Sequence, residues 1–252
     1  MIKKQILWQN IALTLIIVVI QTIISILPSI LFLRNSSQGA SVLTFMVIYL
    51  LISDFFQLVG QSSYKKGKFM SIPIYGIKII ISVILILLII KQTALQFGLI
   101  LLAYELFQLL TFSKQFFYMD SVLYSLTNAF FKGIVFNQLL TIQYPYNYDF
   151  ELIQPFIFSF LIILLITVLT QGMYTFLKRH VKFFILGIVS LIAIYFLLIH
   201  QLIGNQLNIA KFIIFIILNI GTLYFFLTSD HTKRKEVVLN LFALISLYIY
   251  YI

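Results

Sequence analysis

The sequence predicts an all-α integral membrane protein, a polytopic bundle of about nine transmembrane helices with its N-terminus inside and its C-terminus outside. Three observations predict it. Of 252 residues, 62% are hydrophobic and only 10% charged, so a soluble domain could not cover its surface with charge. The apolar residues form continuous runs rather than the alternating pattern of a membrane barrel. The basic residues cluster in the short connectors between those runs.

A spanning helix needs about 20 mainly apolar residues, and the predicted spans are 10–33, 42–60, 73–91, 94–111, 121–142, 154–176, 183–200, 211–228 and 237–252. The first follows Met1-Ile2-Lys3-Lys4, the opening of a signal peptide. Its apolar run, Ile11 to Leu33, is too long for a signal core and lacks a small-residue cleavage site, so a retained helix is expected. Asn35 to Gly39 ends the first span, and Gly67 separates the second from the third. Lys91-Gln92-Thr93 joins the third and fourth as a tight hairpin. The fifth contains Asn128, Lys132 and Asn137 and reads as a buried or broken helix rather than a lipid-facing one. Pro145 and Gly204-Asn205 mark later connectors. No linker is long enough to divide the chain, so residues 1–252 are expected to form a single transmembrane domain.

Charge sets the orientation. With the N-terminus inside, the cytoplasmic segments hold Lys3, Lys4, Lys65, Lys66, Lys68, Lys114, Lys178, Arg179, Lys182, Lys233, Arg234 and Lys235. The outer segments hold only Arg34, Lys91 and Lys211, with the acidic Asp149 and Glu151. The opposite orientation would reverse this bias at almost every connector. Trp8 and the Tyr144-Pro145-Tyr146-Asn147-Tyr148 loop suit the two aromatic belts. The isoleucine-, lysine- and phenylalanine-rich usage fits a bacterial plasma membrane.

Composition also narrows the chemistry. There is no cysteine, which removes disulfides, thiolate nucleophiles and thiolate metal sites. His180, His200 and His231 fall in different connectors, and four ligands are needed for a structural zinc site. No metal, cofactor or catalytic constellation is therefore expected, and the reading leans away from an enzyme. The net charge of +10 follows membrane topology, so no nucleic acid is expected as a partner.

Four charged residues fall inside predicted spans. Asp54, Lys78 and Glu105 each lie five or six residues from a cytoplasmic helix end, roughly 8–9 Å deep. Lys78 and Glu105 are almost symmetric about the Lys91-Gln92 turn, so a hairpin brings them to one level. Lys132 lies near mid-membrane. Such residues turn inward and pair, because each costs about 2.5–3.5 kcal/mol in lipid. Asp54, Lys78, Glu105 and Lys132 thus form a candidate intramembrane polar cluster. It would be either part of a polar path or an ion pair that fixes helix register.

The segment Ser62 to Ile80, with Lys65-Lys66-Gly67-Lys68 ahead of Pro73 and Lys78, resembles the cytoplasmic loop after the second helix of ABC-type exporter permeases. The resemblance implies that Lys65, Lys66 and Lys68 dock a separate cytosolic ATPase subunit. That family has six spans with both termini inside, unlike the nine expected here. A second stretch, Ser53-Asp54-Phe55-Phe56-Gln57-Leu58-Val59-Gly60-Gln61, resembles the first acidic motif of UbiA-type prenyltransferases, which also have nine helices. Of that motif only Asp54 survives, with Gln57 and Gln61 in place of acids. At the second motif, Thr170 to Lys178 holds no acid, Tyr174 and Lys178 standing at acidic positions. Magnesium needs carboxylate oxygens, so this resemblance implies a shared fold without the chemistry. The leading expectation is the permease component of an exporter, with the lipid bilayer, an ATPase subunit and further copies or subunits as partners. A repurposed UbiA-like protein and a membrane immunity or assembly factor are the alternatives.

Overall fold

A computed structural model describes residues 2–32, 40–65, 72–112, 118, 121–141, 153–175 and 181–252. Within them lie α1 (Ile2–Phe32), α2 (Ala40–Lys65), α3 (Ile72–Gln92), α4 (Leu95–Phe112), α5 (Val122–Phe130), a π-helical segment (Phe131–Val135), α6 (Phe136–Thr141), a 3-10 turn (Gln154–Phe156), α7 (Ile157–Thr175), α8 (Val181–Ile203), α9 (Ile209–Thr228) and α10 (Thr232–Tyr251). No strand occurs among the described residues. In lipid a helix satisfies its own backbone polar groups, which is why continuous apolar runs fold this way.

Six helices are long and apolar enough to cross a membrane: Ile11–Phe32, Val42–Gly60, Pro73–Gln92, Gln154–Met173, Val181–Ile203 and Ile209–Thr228. The chain is thus a helical membrane protein. The other three expected spans differ in instructive ways. The fourth is apolar but shorter, Leu95–Thr111. The fifth is interrupted by the π segment. The last begins at Thr232 rather than Val237, because Lys233-Arg234-Lys235-Glu236 join the helix as its first turns.

The chain packs as two compact units, residues 35–124 and residues 1–34 with 125–252. In the smaller unit α3 packs on both α2 and α4. The α3–α4 turn is tight. Thr93 N–H donates to the Ile89 carbonyl at 3.0 Å, and a Cβ on Gly98 would lie 2.2 Å from the Ile90 side chain.

In the larger unit α10 packs on α1, α7 and α9, and α7 also packs on α8 and the π segment. The π segment touches α7 so closely that a Cβ on Gly133 would lie 2.5 Å from the Phe160 Cα. Only glycine allows that approach. At the α8–α9 turn Asn205 has a φ of 55°, a left-handed conformation asparagine tolerates. Asn208 then caps α9, its side-chain oxygen accepting from Ala210 N–H at 3.0 Å. The outward faces of α8 and α9 carry Phe184, Phe196, Ile217 and Tyr224, all exposed in the single chain, as lipid-facing residues should be.

Lys66, Lys68, Arg34, Lys114, Asp149, Glu151, Lys178, Arg179, His180 and the Tyr144–Tyr148 loop lie outside the described residues. Lys65 is the last residue of α2.

Candidate intramembrane polar site

The smaller unit buries a polar cluster among otherwise apolar helices. On α2, Tyr49, Ser53 and Gln57 recur every four residues and share the buried face, with Asp54 beside them. Lys78 and Ser82, one turn apart, give α3 its polar inward face. Tyr104, Gln108 and Thr111 do the same on α4.

Lys78 is fully buried, and its ammonium is hydrogen-bonded to the Glu105 carboxylate, whose side chain is 11% exposed. Lys78 Nζ also donates to Gln108 Oε1 at 3.0 Å. Gln108 Nε2 in turn donates to Ser53 Oγ at 2.6 Å. The donors therefore run in one direction from α3 through α4 to α2, and each bond crosses between helices. Tyr49 OH donates to the Leu101 carbonyl at 3.4 Å, a longer bond between α2 and α4. Gln57 Nε2 donates to Tyr124 OH, and Tyr124 stacks on Phe107 with ring centroids 5.8 Å apart. Charge-assisted bonds are about twice as strong as neutral ones, and the low dielectric strengthens them further. The ladder can therefore fix the register of three helices.

Of the sequence-predicted residues, the fold brings Lys78 and Glu105 together, as their equal depth implied. Asp54 lies on the same buried face of α2, next to Ser53. Lys132 is also buried, but within the π segment of the other unit. Gln108 and Ser53 were not anticipated as members. Gln108 lies one turn after Glu105, which places both on neighbouring positions of α4; a search for polar residues at that spacing would have found it.

The larger unit has its own polar contacts. Asn137 is fully buried and bonded to α1. Its Oδ1 accepts from Ser29 N–H at 2.9 Å. Its Nδ2 donates to the Ser25 carbonyl at 2.9 Å and to the Lys132 and Gly133 carbonyls at 3.1 Å each. Ser25 C=O and Ser29 N–H are the two ends of one helical step, across which sits Pro28. Proline removes a donor from a helix, and a neighbouring polar side chain re-satisfies the freed groups. The fifth span is therefore buried and stays helical from Val122 to Thr141, with π geometry in its middle, and the same asparagine ties it to α1. On α7, Gln171 and Ser125 of α5 are hydrogen-bonded. On α10, Glu236 and Asn240 are fully buried, with Lys233 Nζ donating to Glu236 at 3.0 Å.

The residues do not fit a magnesium–diphosphate site. Gln57 on α2 supplies an amide where the prenyltransferase chemistry needs a carboxylate. Among the described residues no group of three or more His, Cys, Asp or Glu could hold a metal. No protein-family model, curated protein or solved structure matches the chain.

Proposed function

We propose that the chain is a multi-pass bacterial plasma-membrane protein of the transport class, the permease component of an exporter driven by a separate ATPase. The observation that carries this reading is the Lys78–Glu105–Gln108–Ser53 ladder, formal charge held inside helices that could have been wholly apolar. Intramembrane ionisable groups are expensive and mark paths for polar solutes or ions. The chain would cross nine times, N-terminus inside and C-terminus outside, so α2 would deliver Lys65 and its basic loop to the cytoplasm. That loop, with Lys66 and Lys68, is the surface proposed to receive the ATPase.

Affinity capture from membranes tests the assignment. The wild-type chain should retain a cytosolic ATPase, and the variant with Lys65→Gln, Lys66→Gln and Lys68→Gln should lose most of it while still inserting. Nine other cytoplasmic basic residues would keep its orientation. Equal recovery from both would return these lysines to a purely topological role. Reporter fusions at Ser63, Tyr148, His180 and the C-terminus check the topology, and a cytoplasmic C-terminus would sink the nine-span count.

A repurposed UbiA-like protein is the second reading. It is favoured by the burial of Ser53, Asp54 and Gln57, residues of the stretch that resembles that family's first motif. Prenyl transfer by the purified chain would promote it over the first.

A further inference from the structure

The start of α10 carries three consecutive basic residues, Lys233, Arg234 and Lys235, and no acid in its first turn. The dipole of a helix opposes cations at that end, so each is better placed with a compensating group. Two find one within the protein. Lys233 Nζ donates to the buried Glu236 carboxylate at 3.0 Å. Lys235 sets its ammonium 5.1 Å from the centroid of the Phe226 ring on α9, a cation–π distance. Arg234, between them, is exposed. Among the described residues its guanidinium makes no ion pair or hydrogen bond. Asp230, in the preceding turn, is exposed and does not pair with it.

Both helices set the depth of Arg234. α9, Ile209–Thr228, is long and apolar enough to cross a membrane, and only Ser229, Asp230 and His231 separate it from α10. The turn therefore lies at the membrane boundary, and Arg234, less than one turn into α10, lies at headgroup level. Leu241, Ile245 and Tyr248 follow it along the helix, and all three are exposed. At 3.6 residues per turn each falls within about 40° of Arg234 around the axis. Leu239, Ala243 and Leu247, on the opposite side, are buried. Arg234 thus heads an outward apolar face about 21 Å long.

We propose that this face of α10 holds one anionic phospholipid, its phosphate in the fork of Arg234 and an acyl chain along Leu241, Ile245 and Tyr248. A guanidinium offers two parallel donors to a phosphate, a geometry an ammonium lacks. The occupant is a lipid rather than a soluble anion because the charge stands at the head of an apolar face that only a chain-bearing ligand covers. It is an anionic lipid because Lys235 is the next residue, and its charge is set against a ring rather than neutralised. A zwitterionic headgroup would bring its own ammonium towards two cations. The site does not depend on the exporter reading.

Native mass spectrometry of the full chain, released from detergent and titrated with phosphatidylglycerol or with phosphatidylcholine of the same acyl chains, tests the site. The first phosphatidylglycerol should bind the wild type about tenfold more tightly than Arg234→Gln. Arg234→Lys keeps the charge and loses the fork, so it should fall between them. Ile245→Asn should weaken the same lipid with Arg234 in place. Lys211→Gln, at the other end of α9, should bind as the wild type does. Phosphatidylcholine should bind all of them weakly and alike. Equal affinity of the wild type and Arg234→Gln for phosphatidylglycerol would overturn the site, and so would equal affinity of the wild type for the two lipids. Displacement of the lipid by glycerol phosphate, which has the headgroup chemistry and no chains, would reassign Arg234 to a soluble anion. Loss of a dimer in lipid-free detergent on Arg234→Gln would make the face a contact between two copies of the chain instead.

Discussion

The α2–α4 cluster and α10 both bury polar side chains in apolar surroundings, yet they satisfy them differently. Lys78, Gln108 and Ser53 spend their hydrogen bonds across helices, so each bond helps to hold α2, α3 and α4 in register. Asn240 turns its amide back on its own helix, and its carbonyl oxygen has no partner among the described residues. Burial alone therefore does not identify a structural polar residue. What identifies it is whether its partner lies on another helix. Asn137 shows that the larger unit can also build cross-helix amide contacts, since it bonds α1 through both of its polar atoms. Buried polar atoms without a partner among the described residues also occur elsewhere, at Ser82 on α3, Asn128 on α5 and Ser159 on α7.

The largest effect is expected in the ion pair. Removing either partner strands a buried charge and should cost about 3–5 kcal/mol. Lys78→Met and Glu105→Gln should each lower the unfolding temperature in detergent sharply. The exchange Lys78→Glu with Glu105→Lys should recover part of the loss. Replacing both with methionine should recover more, because the desolvation cost disappears together with the attraction. If the exchange is no better than the single variants, the pair does not hold this unit together, and the contrast with α10 collapses.

Next come the contacts that seat the fifth span and its π segment. Asn137→Ala would leave Ser29 N–H and Ser25 C=O to each other beside Pro28, and would strip partners from the Lys132 and Gly133 carbonyls. Buried polar groups left short of partners cost about 1–3 kcal/mol each. Gly133→Ala forces a methyl group onto the Phe160 backbone, where no rotamer change can relieve it, at about 1–3 kcal/mol. Amide hydrogen exchange over residues 122–141 should rise in both. Unchanged protection would mean that the π segment is held by the helices themselves and not by this asparagine.

Much of this was legible in the sequence, for physical reasons that differ by region. The α3–α4 hairpin was readable because a tight turn fixes depth, and depth paired Lys78 with Glu105. The burial of the fifth span was readable because Asn128, Lys132 and Asn137 are too polar to face lipid. Its π geometry was not, since that depends on how closely Gly133 meets Phe160, a residue 27 positions away. The start of α10 was misplaced because Lys233 to Glu236 read as a connector. Glu236 is nevertheless fully buried within the helix, bonded by the partly exposed Lys233. Which units the helices form was also beyond reach, because apolar runs carry no mark of their neighbours.

The smallest effect belongs to Asn240, and its size sharpens the comparison most. Leucine matches asparagine in shape, removes a carbonyl oxygen that has no partner among the described residues and gives up only a bond to the same helix. Asn240→Leu should therefore change stability by less than about 1 kcal/mol, or raise it. Gln108→Leu, equally buried, breaks the bonds to Lys78 and Ser53 and should cost about 1.5–3 kcal/mol, the range for a bond to a charged group. Thermal unfolding of the two variants side by side in one detergent measures the difference. A loss at Asn240 as large as that at Gln108 would mean that the amide already has a partner in the folded protein, and the contrast between α10 and the α2–α4 cluster would collapse. A neutral or stabilising result means that packing does not require the amide, although Asn240 is buried on the helix that α1, α7 and α9 all pack against.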